Sequence, residues 1–285
     1  MGTSMKRRWR ALFGATPYVC AKVWILIDTP NNKRLPSNAQ RKHLMWALLF
    51  LREYEVEESH ACLTGVDEDT FRKWQKIFVE ELTFLECRII LWKDRKVNDI
   101  YNDALTSVDG TDISVPNYKP FWKGWYSHKI NKAGVRWEVA LCLRTGEIVW
   151  IHGPFPCGRW PDLLIFRHAM ISHMDDDERA EADDGYIGEP TKTLTPKRNT
   201  RNESDADFRQ YTRNRQETIN ARLKDWSCLS GRLRHSLGFH SAMFCAVAVL
   251  CQLAIQSGEP LFQIDYDQEN FMLPFPAPTM EDSEE

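Results

Sequence analysis

An acid set inside a β-branched run constrains this chain more than any other feature of its sequence. Ser107-Val108-Asp109-Gly110-Thr111-Asp112-Ile113-Ser114-Val115 reads as a β-strand, with Val108, Ile113 and Val115 supplying the branched side chains. Strands deplete Asp, and a buried ionised carboxylate is expensive unless it is paired or holds a metal. Gly110 follows at once, and a glycine within a strand marks close approach by a ligand or another part of the chain. Two accounts are open at this point. Asp109-Gly110 is a bend between two short strands, or Asp109 is a liganding acid on one long strand.

Composition narrows the class without deciding it. The chain has 285 residues, 43% hydrophobic and 27% charged, with a net charge of −3, so one large domain or a large and a small one are expected. The charge is unevenly spread. Residues 1–50 hold nine Lys/Arg against Asp28, whereas from His235 onward there are eight Asp/Glu and no Lys or Arg. That asymmetry predicts a basic face and an acidic tail. None of the eight cysteines forms a C-x-x-C pair, which predicts free, mostly buried thiols in a reducing compartment. Pro17 and Lys22 interrupt the only signal-peptide-like start, and the longest apolar run, Ala242–Ile255, is short for a membrane span and contains Gln252. A soluble, intracellular protein with no membrane partner is expected.

Residues 1–36 show no clear period and are broken by Pro17, Pro30 and Pro36, so a basic, poorly structured segment is predicted there. Lys6-Arg7-Arg8 within it is a weak nuclear-import pattern. A helical domain is expected over 37–98. It opens with a helix from Asn38, followed by a short one at 57–63 stopped by Gly65. A third is capped by Asp67 and carries Phe71, Trp74, Phe78, Leu82 and Leu85 on one face. Its other face holds Arg72, Lys73, Gln75 and Lys76. Short helix, glycine turn and basic helix form a helix-turn-helix-like pattern, which makes Arg72, Lys73 and Lys76 candidate DNA contacts.

Beyond the central strand, Phe121–Tyr126 is an aromatic bend with Lys129 nearby, a combination suited to bases and phosphates. A hairpin follows, with Val135, Trp137, Val139 and Leu141 on one face and a turn at Thr145-Gly146-Glu147. Next come a helix over 162–174, an acidic run at Asp175–Glu178 read as a solvated turn, and a strand ending at Asp183-Asp184-Gly185-Tyr186. A polar basic loop over 189–210 then leads to a helix over 212–226, a nearly all-apolar core helix over 241–256 and a tail from 258 onward.

Three acids on three separate elements now stand out. Asp109 interrupts a strand, Asp183 ends another where ligand sites of α/β sheets collect, and Glu217 shares a helix face with Arg213 and Lys224. Converging carboxylates suit Mg²⁺ or Mn²⁺, and the neighbouring cations suit a phosphate backbone.

In order, Val108-Asp109-Gly110-Thr111, Tyr126-Ser127-His128-Lys129, Gly153-Pro154-Phe155-Pro156-Cys157-Gly158 with Asp162 and Phe166-Arg167, Asp183-Asp184-Gly185-Tyr186, and Arg213 to Lys224 resemble the motifs of one family. It is the DDE endonuclease domain of Harbinger/PIF-type transposases and their bacterial insertion-sequence relatives. The resemblance implies a ribonuclease-H-like, retroviral-integrase-like α/β domain over 99–257, preceded by the small all-α segment; composition adds the acidic tail, 258–285. It implies Asp109, Asp183 and Glu217 as catalytic metal ligands for two divalent ions, with Lys129, Arg213 and Lys224 on DNA. The implied reaction is hydrolysis and strand transfer of DNA phosphodiesters at transposon ends, in the nucleus. The implied partners are terminal-repeat and target DNA, a separate DNA-binding accessory protein and further copies of the chain. Ala182 and Asp184 depart from the family's pattern, which leaves Asp183 or Asp184 as the second ligand, and Asp112 stands where a His is common. The alternative is a domesticated, catalytically silent relative that binds DNA or protein.

Overall fold

The computed structural model describes residues 3–97, 104–117, 119–120, 122–200 and 203–262. In chain order its helices are α1 (Thr3–Phe13), α2 (Pro17–Ile27), α3 (Arg41–Glu53), α4 (Glu57–Thr64), α5 (Glu68–Phe84), α6 (Glu86–Ile89), α7 (Asp162–His168), α8 (Pro196–Asn199), α9 (Glu203–Lys224), α10 (Ser227–Ser230) and α11 (Leu237–Ile255). The strands are β1 (Ala104–Ser114), β2 (Tyr126–Ser127), β3 (Lys132–Cys142), β4 (Ile148–Pro156), β5 (Arg179–Ala182) and β6 (Thr193–Leu194).

Two compact units result. One joins the chain up to Ile90 with Ala221–Glu259; the other holds Leu91–Asn220 and the described residues from Pro260. The sequence-based division into consecutive blocks at 37–98 and 99–257 did not anticipate this pairing of N-terminal and C-terminal helices. The acidic tail from 263 onward lies outside the described residues.

The first unit is helical. Residues 3–27, expected to be poorly structured, form α1 and α2. Pro17 looked like a breaker but stands in the first turn of α2, where its missing N–H is not needed, and the Thr16 hydroxyl caps the Val19 amide. The succession α3, α4, α5 falls where the periodicity placed it. Gly65 ends α4 at φ +70°, and the Asp67 carboxylate accepts from the Thr70 amide at 2.8 Å. Phe71, Trp74, Phe78, Leu82 and Leu85 are all buried. Gln75 is buried too, not on the outer face, because a helix turned to bury Phe71 and Trp74 carries it inward. Helix α11 is 19 residues of mean hydropathy 1.8, long and apolar enough to cross a membrane by length and composition, although the sequence run looked too short. Two thirds of it is buried, as a core element requires, and α5 and α6 pack on it.

The second unit is built on a mixed sheet of order β4-β3-β1-β5-β6, with β2 also on β3. The strands β1, β3 and β4 form an antiparallel meander; β5 and β6 continue parallel to β1. That arrangement is compatible with the expected ribonuclease-H-like domain. Val108, Ala140, Cys142, Val149, Phe166, Met170, Ala180 and Tyr186 close the core on one face. The polar loop expected over 189–210 contains β6 and α8, and α9 begins at Glu203, well before the apolar period that marked it. The acidic run Asp175–Glu178 is only partly a solvated turn. Buried Glu178 takes a two-point ion pair from Arg95, at 2.8 and 2.9 Å, and Asp175 faces Lys96.

Candidate active site

Asp109 lies in one continuous strand, so the bend is excluded; its register partner on β3 is Val139. On its other side β1 runs parallel to β5 with Val108 opposite Ala182, the last residue of β5. Pairing stops there, which brings Asp109 and Asp183 out together at the end of the parallel pair, where sheets of this kind gather ligands. Asp183 raises the proton affinity of Asp109, as two neighbouring carboxylates must. Its Oδ1 accepts from the Gly185 amide at 2.8 Å. Asp184 turns instead to Lys197, at 3.8 Å. Of the two adjacent acids, Asp183 is the neighbour of Asp109.

Asp162 is a third carboxylate here, and the sequence pointed to it only as part of a motif. It opens α7 directly after Pro161, where an acid is read as a favourable helix start, and that ordinary role hid it. It is nine-tenths buried, and its Oδ1 has no hydrogen-bond partner among the described residues. That oxygen lies 1.8 Å from the point a Cβ on Gly110 would occupy. Any side chain at 110 would therefore expel Asp162, which is the close approach the strand glycine announced. Burial raises the pKa of both Asp109 and Asp162, and Lys129 pulls each back.

The cations sit differently from expectation. Lys129 was assigned to DNA, yet its Nζ lies 3.5 Å from Asp109 Oδ1 and 3.4 Å from Asp162 Oδ2, and donates to the Gly110 carbonyl at 2.9 Å. Burial lowers its pKa, but Asp162 and Asp109 outweigh that and raise it. Arg136 grips Asp112 through two bonds, at 2.6 and 2.8 Å, and its Nη1 reaches Asp162 at 3.3 Å. Burial pushes the Asp112 carboxyl up, but this pair and the Ser127 hydroxyl overcome it and hold it low.

Helix α9 closes the other side of β1. Gln216 Nε2 donates to the Ser107 carbonyl at 2.7 Å, and Asn220 Nδ2 to Asp109 Oδ2 at 2.9 Å. Glu217 stands about 60° round the helix from Asn220. Its side chain is 66% exposed and its ion-pair partner is Arg213, at 3.6 Å. Thus the structure brings Asp109 and Asp183 together, adds Asp162, and records no contact from Glu217 to any of them. Lys224 ends α9 and belongs to the other unit. There too, Arg72 is held by Glu57, Glu68 and Asp69, while Lys73 lies over the Trp74 ring at 5.6 Å.

Among the described residues, no three His, Cys, Asp or Glu side chains are drawn close enough to hold a metal ion as they stand. The donor set is nonetheless of the right kind. Hard divalent ions take carboxylate oxygens, and the unpartnered buried oxygen of Asp162 is a polar atom that lacks a partner. A family model described as DDE superfamily endonuclease matches residues 108–252, just over half of the chain. No curated protein and no solved structure gives a match.

Proposed function

The chain belongs to the DDE superfamily endonucleases, and on that premise we propose that it is a Harbinger/PIF-type transposase acting on DNA in the nucleus. The observation that carries this reading is the proximity of Asp109 and Asp183 where the parallel pairing of β1 with β5 stops, with α9 bonded to Asp109. Asp109 and Asp183 would hold Mg²⁺ or Mn²⁺, and Glu217 would join them as the third ligand by turning its exposed side chain inward from Arg213. Such ions, when bound, would supply an activated attacking oxygen and stabilise the leaving one. The protein's own part is positional. Asn220 fixes one oxygen of Asp109, the Gly110 amide the other, and the Arg136–Asp112 pair locks β1 to β3. In hydrolysis, water's oxygen bonds to phosphorus, the bond to the 3′ oxygen breaks, and that oxygen takes a proton. The freed 3′-hydroxyl's oxygen then bonds to phosphorus in a target phosphodiester, the bond to the target's own 3′ oxygen breaks, and that oxygen takes the proton the hydroxyl loses. Arg213, Lys224, Lys73 and Lys76 are proposed to hold the DNA backbone by charge, with terminal-repeat DNA, an accessory DNA-binding protein and further copies of the chain as partners.

Purified full-length chain should nick DNA carrying the element's terminal repeats in Mg²⁺ or Mn²⁺. Asp109→Ala and Glu217→Ala should each abolish nicking while circular dichroism stays unchanged. Cleavage retained by both variants overturns the assignment. The second reading, a relative that binds DNA without cutting it, is favoured by the exposure of Glu217. Tight binding to the same DNA with no nicking in either ion would establish it.

A further inference from the structure

Two cations face the acids around Asp109, and they are not equivalent. Arg136 is buried and clamped at two points to Asp112, so it is part of the frame. Lys129 has a 40% exposed side chain on a flexible four-carbon stem, and its contacts at 3.4 and 3.5 Å are ion-pair distances rather than tight hydrogen bonds. Its one short bond is to a backbone carbonyl, that of Gly110. Its ammonium group therefore stands among the carboxylates as a removable positive charge. Gly110 has no side chain, so Asp162 reaches β1 there, and Lys129 faces Asp109 and Asp162 at once. The unpartnered Oδ1 of Asp162, buried against the strand, marks an acid with bonding capacity to spare.

We propose that Lys129 is a built-in counter-cation between Asp109 and Asp162, and that a divalent ion binding these carboxylates must displace its ammonium group. Asp162 is then a positioning acid of the site, holding the lysine when it is in and adding negative charge when it is out. Like charges cannot share the space: an ion entering beside Lys129 meets repulsion that falls away when the stem swings outward. The acids, for their part, lose their neutralising partner unless the ion arrives. Binding and release are thus reciprocal. This proposal rests on the metal-dependent reading of the site given above.

The test is Mn²⁺ binding to the full chain without DNA, after EDTA treatment and dialysis, read by the electron paramagnetic resonance signal of free Mn²⁺. Lys129→Met should tighten Mn²⁺ binding about tenfold or more, and Asp162→Asn should weaken it by a similar factor. Thermal unfolding gives a second measure that does not depend on activity. Lys129→Met should melt lower than the parent in EDTA and gain more from added Mn²⁺. Lys129→Gln serves in the same way should the methionine variant fail to fold. Unchanged or weaker Mn²⁺ affinity in the lysine variants, with binding by the parent abolished in Asp109→Asn, overturns the counter-cation and leaves the metal site standing. Absence of Mn²⁺ binding in the parent and in every lysine variant overturns both.

Discussion

The two units bury their interiors by opposite chemistry. In the helical unit the core is Val19, Val23, Ile27, Leu44, Leu48, Phe50, Phe78 and the length of α11, and its fully buried titratable groups include His60 and His240, whose pKa values burial lowers. In the sheet unit charges go inside in pairs: Arg95 with Glu178, Arg136 with Asp112, Arg209 with Glu181. Fully buried Arg215 donates to the Leu143 carbonyl at 2.6 Å. A helix satisfies its own backbone, so an all-helical unit can close on shape and volume alone. A sheet that presents acids at its strand ends must counter their charge, and it does so with cations drawn into its interior. The first unit is therefore constrained chiefly by volume, with buried Glu81 held by the half-exposed Arg34 at 3.0 Å, and the second by charges paired with both partners inside.

The contrast breaks most sharply at Arg95. Removing one partner of a buried pair leaves the other desolvated and unpaired, and Arg95→Met should cost about 3–5 kcal/mol in urea unfolding of the sheet unit. The double variant Arg95→Met/Glu178→Leu should recover at least half of that loss, because it removes the stranded carboxylate as well. A single-variant loss below about 1 kcal/mol would mean that the pair behaves like a surface contact, and the electrostatic account of this unit would fail with it.

The units also differ in the direction of their pH response, through groups that carry no ion-pair partner. Burial pushes the Glu138 carboxyl up to about 8; the Trp150 indole N–H, donating at 3.0 Å, only moderates it. The folded state keeps a proton that the unfolded chain releases, so this stabilisation is complete below about 4.5 and is lost as pH rises through about 8. Burial lowers His240 to about 4, so its contribution runs the other way: present above about 6.5 and lost as pH falls through about 4. Relative to the parent, Glu138→Gln should gain on the order of 4 kcal/mol by pH 9, and His240→Leu on the order of 3 kcal/mol by pH 4. Hydrogen exchange resolved by region checks both, with protection rising in the sheet unit for the first and in the helical unit for the second. A gain that does not change with pH in either variant refutes the corresponding shift.

What the sequence disclosed follows the same divide. Helix order, the Asp67 cap and the Gly65 stop were legible because they are local: a capping oxygen, a glycine at positive φ, a repeat of apolar residues. The strand around Asp109 was legible for the same reason. Residues 3–27 were misread because Pro17 carries one meaning inside a helix and another at its first turn. The site was only half visible. Asp109 and Asp183 are acids in unusual positions, and position within an element can be read from the chain. Asp162, Asn220 and the true place of Lys129 depend on which elements meet in space. Asp162 looked like a helix start, Asn220 like one polar residue among many on α9, and Lys129 like a cation beside aromatics. The acidic run at Asp175–Glu178 failed in the opposite sense, since only the fold reveals that Arg95 reaches it.

The smallest effect is expected where charges meet in water. Arg72 on α5 faces Glu57, Glu68 and Asp69 with nearly half of its side chain exposed, and solvent screens such pairs strongly. Arg72→Ala should leave the melting midpoint of the helical unit within measurement error, in contrast to Arg95→Met in the other unit. The same variant bears on the basic face of α5. Three carboxylates already counter the Arg72 charge, so it has little left for a phosphate backbone. The slope of DNA affinity against salt should stay as in the parent for Arg72→Ala and become shallower for Lys73→Ala/Lys76→Ala, since these lysines make no ion pair among the described residues. A slope that flattens with Arg72→Ala alone would mean that the guanidinium leaves its acids to meet DNA. The surface of the helical unit would then be organised around exchangeable ion pairs, in contrast to the fixed pairs inside the other.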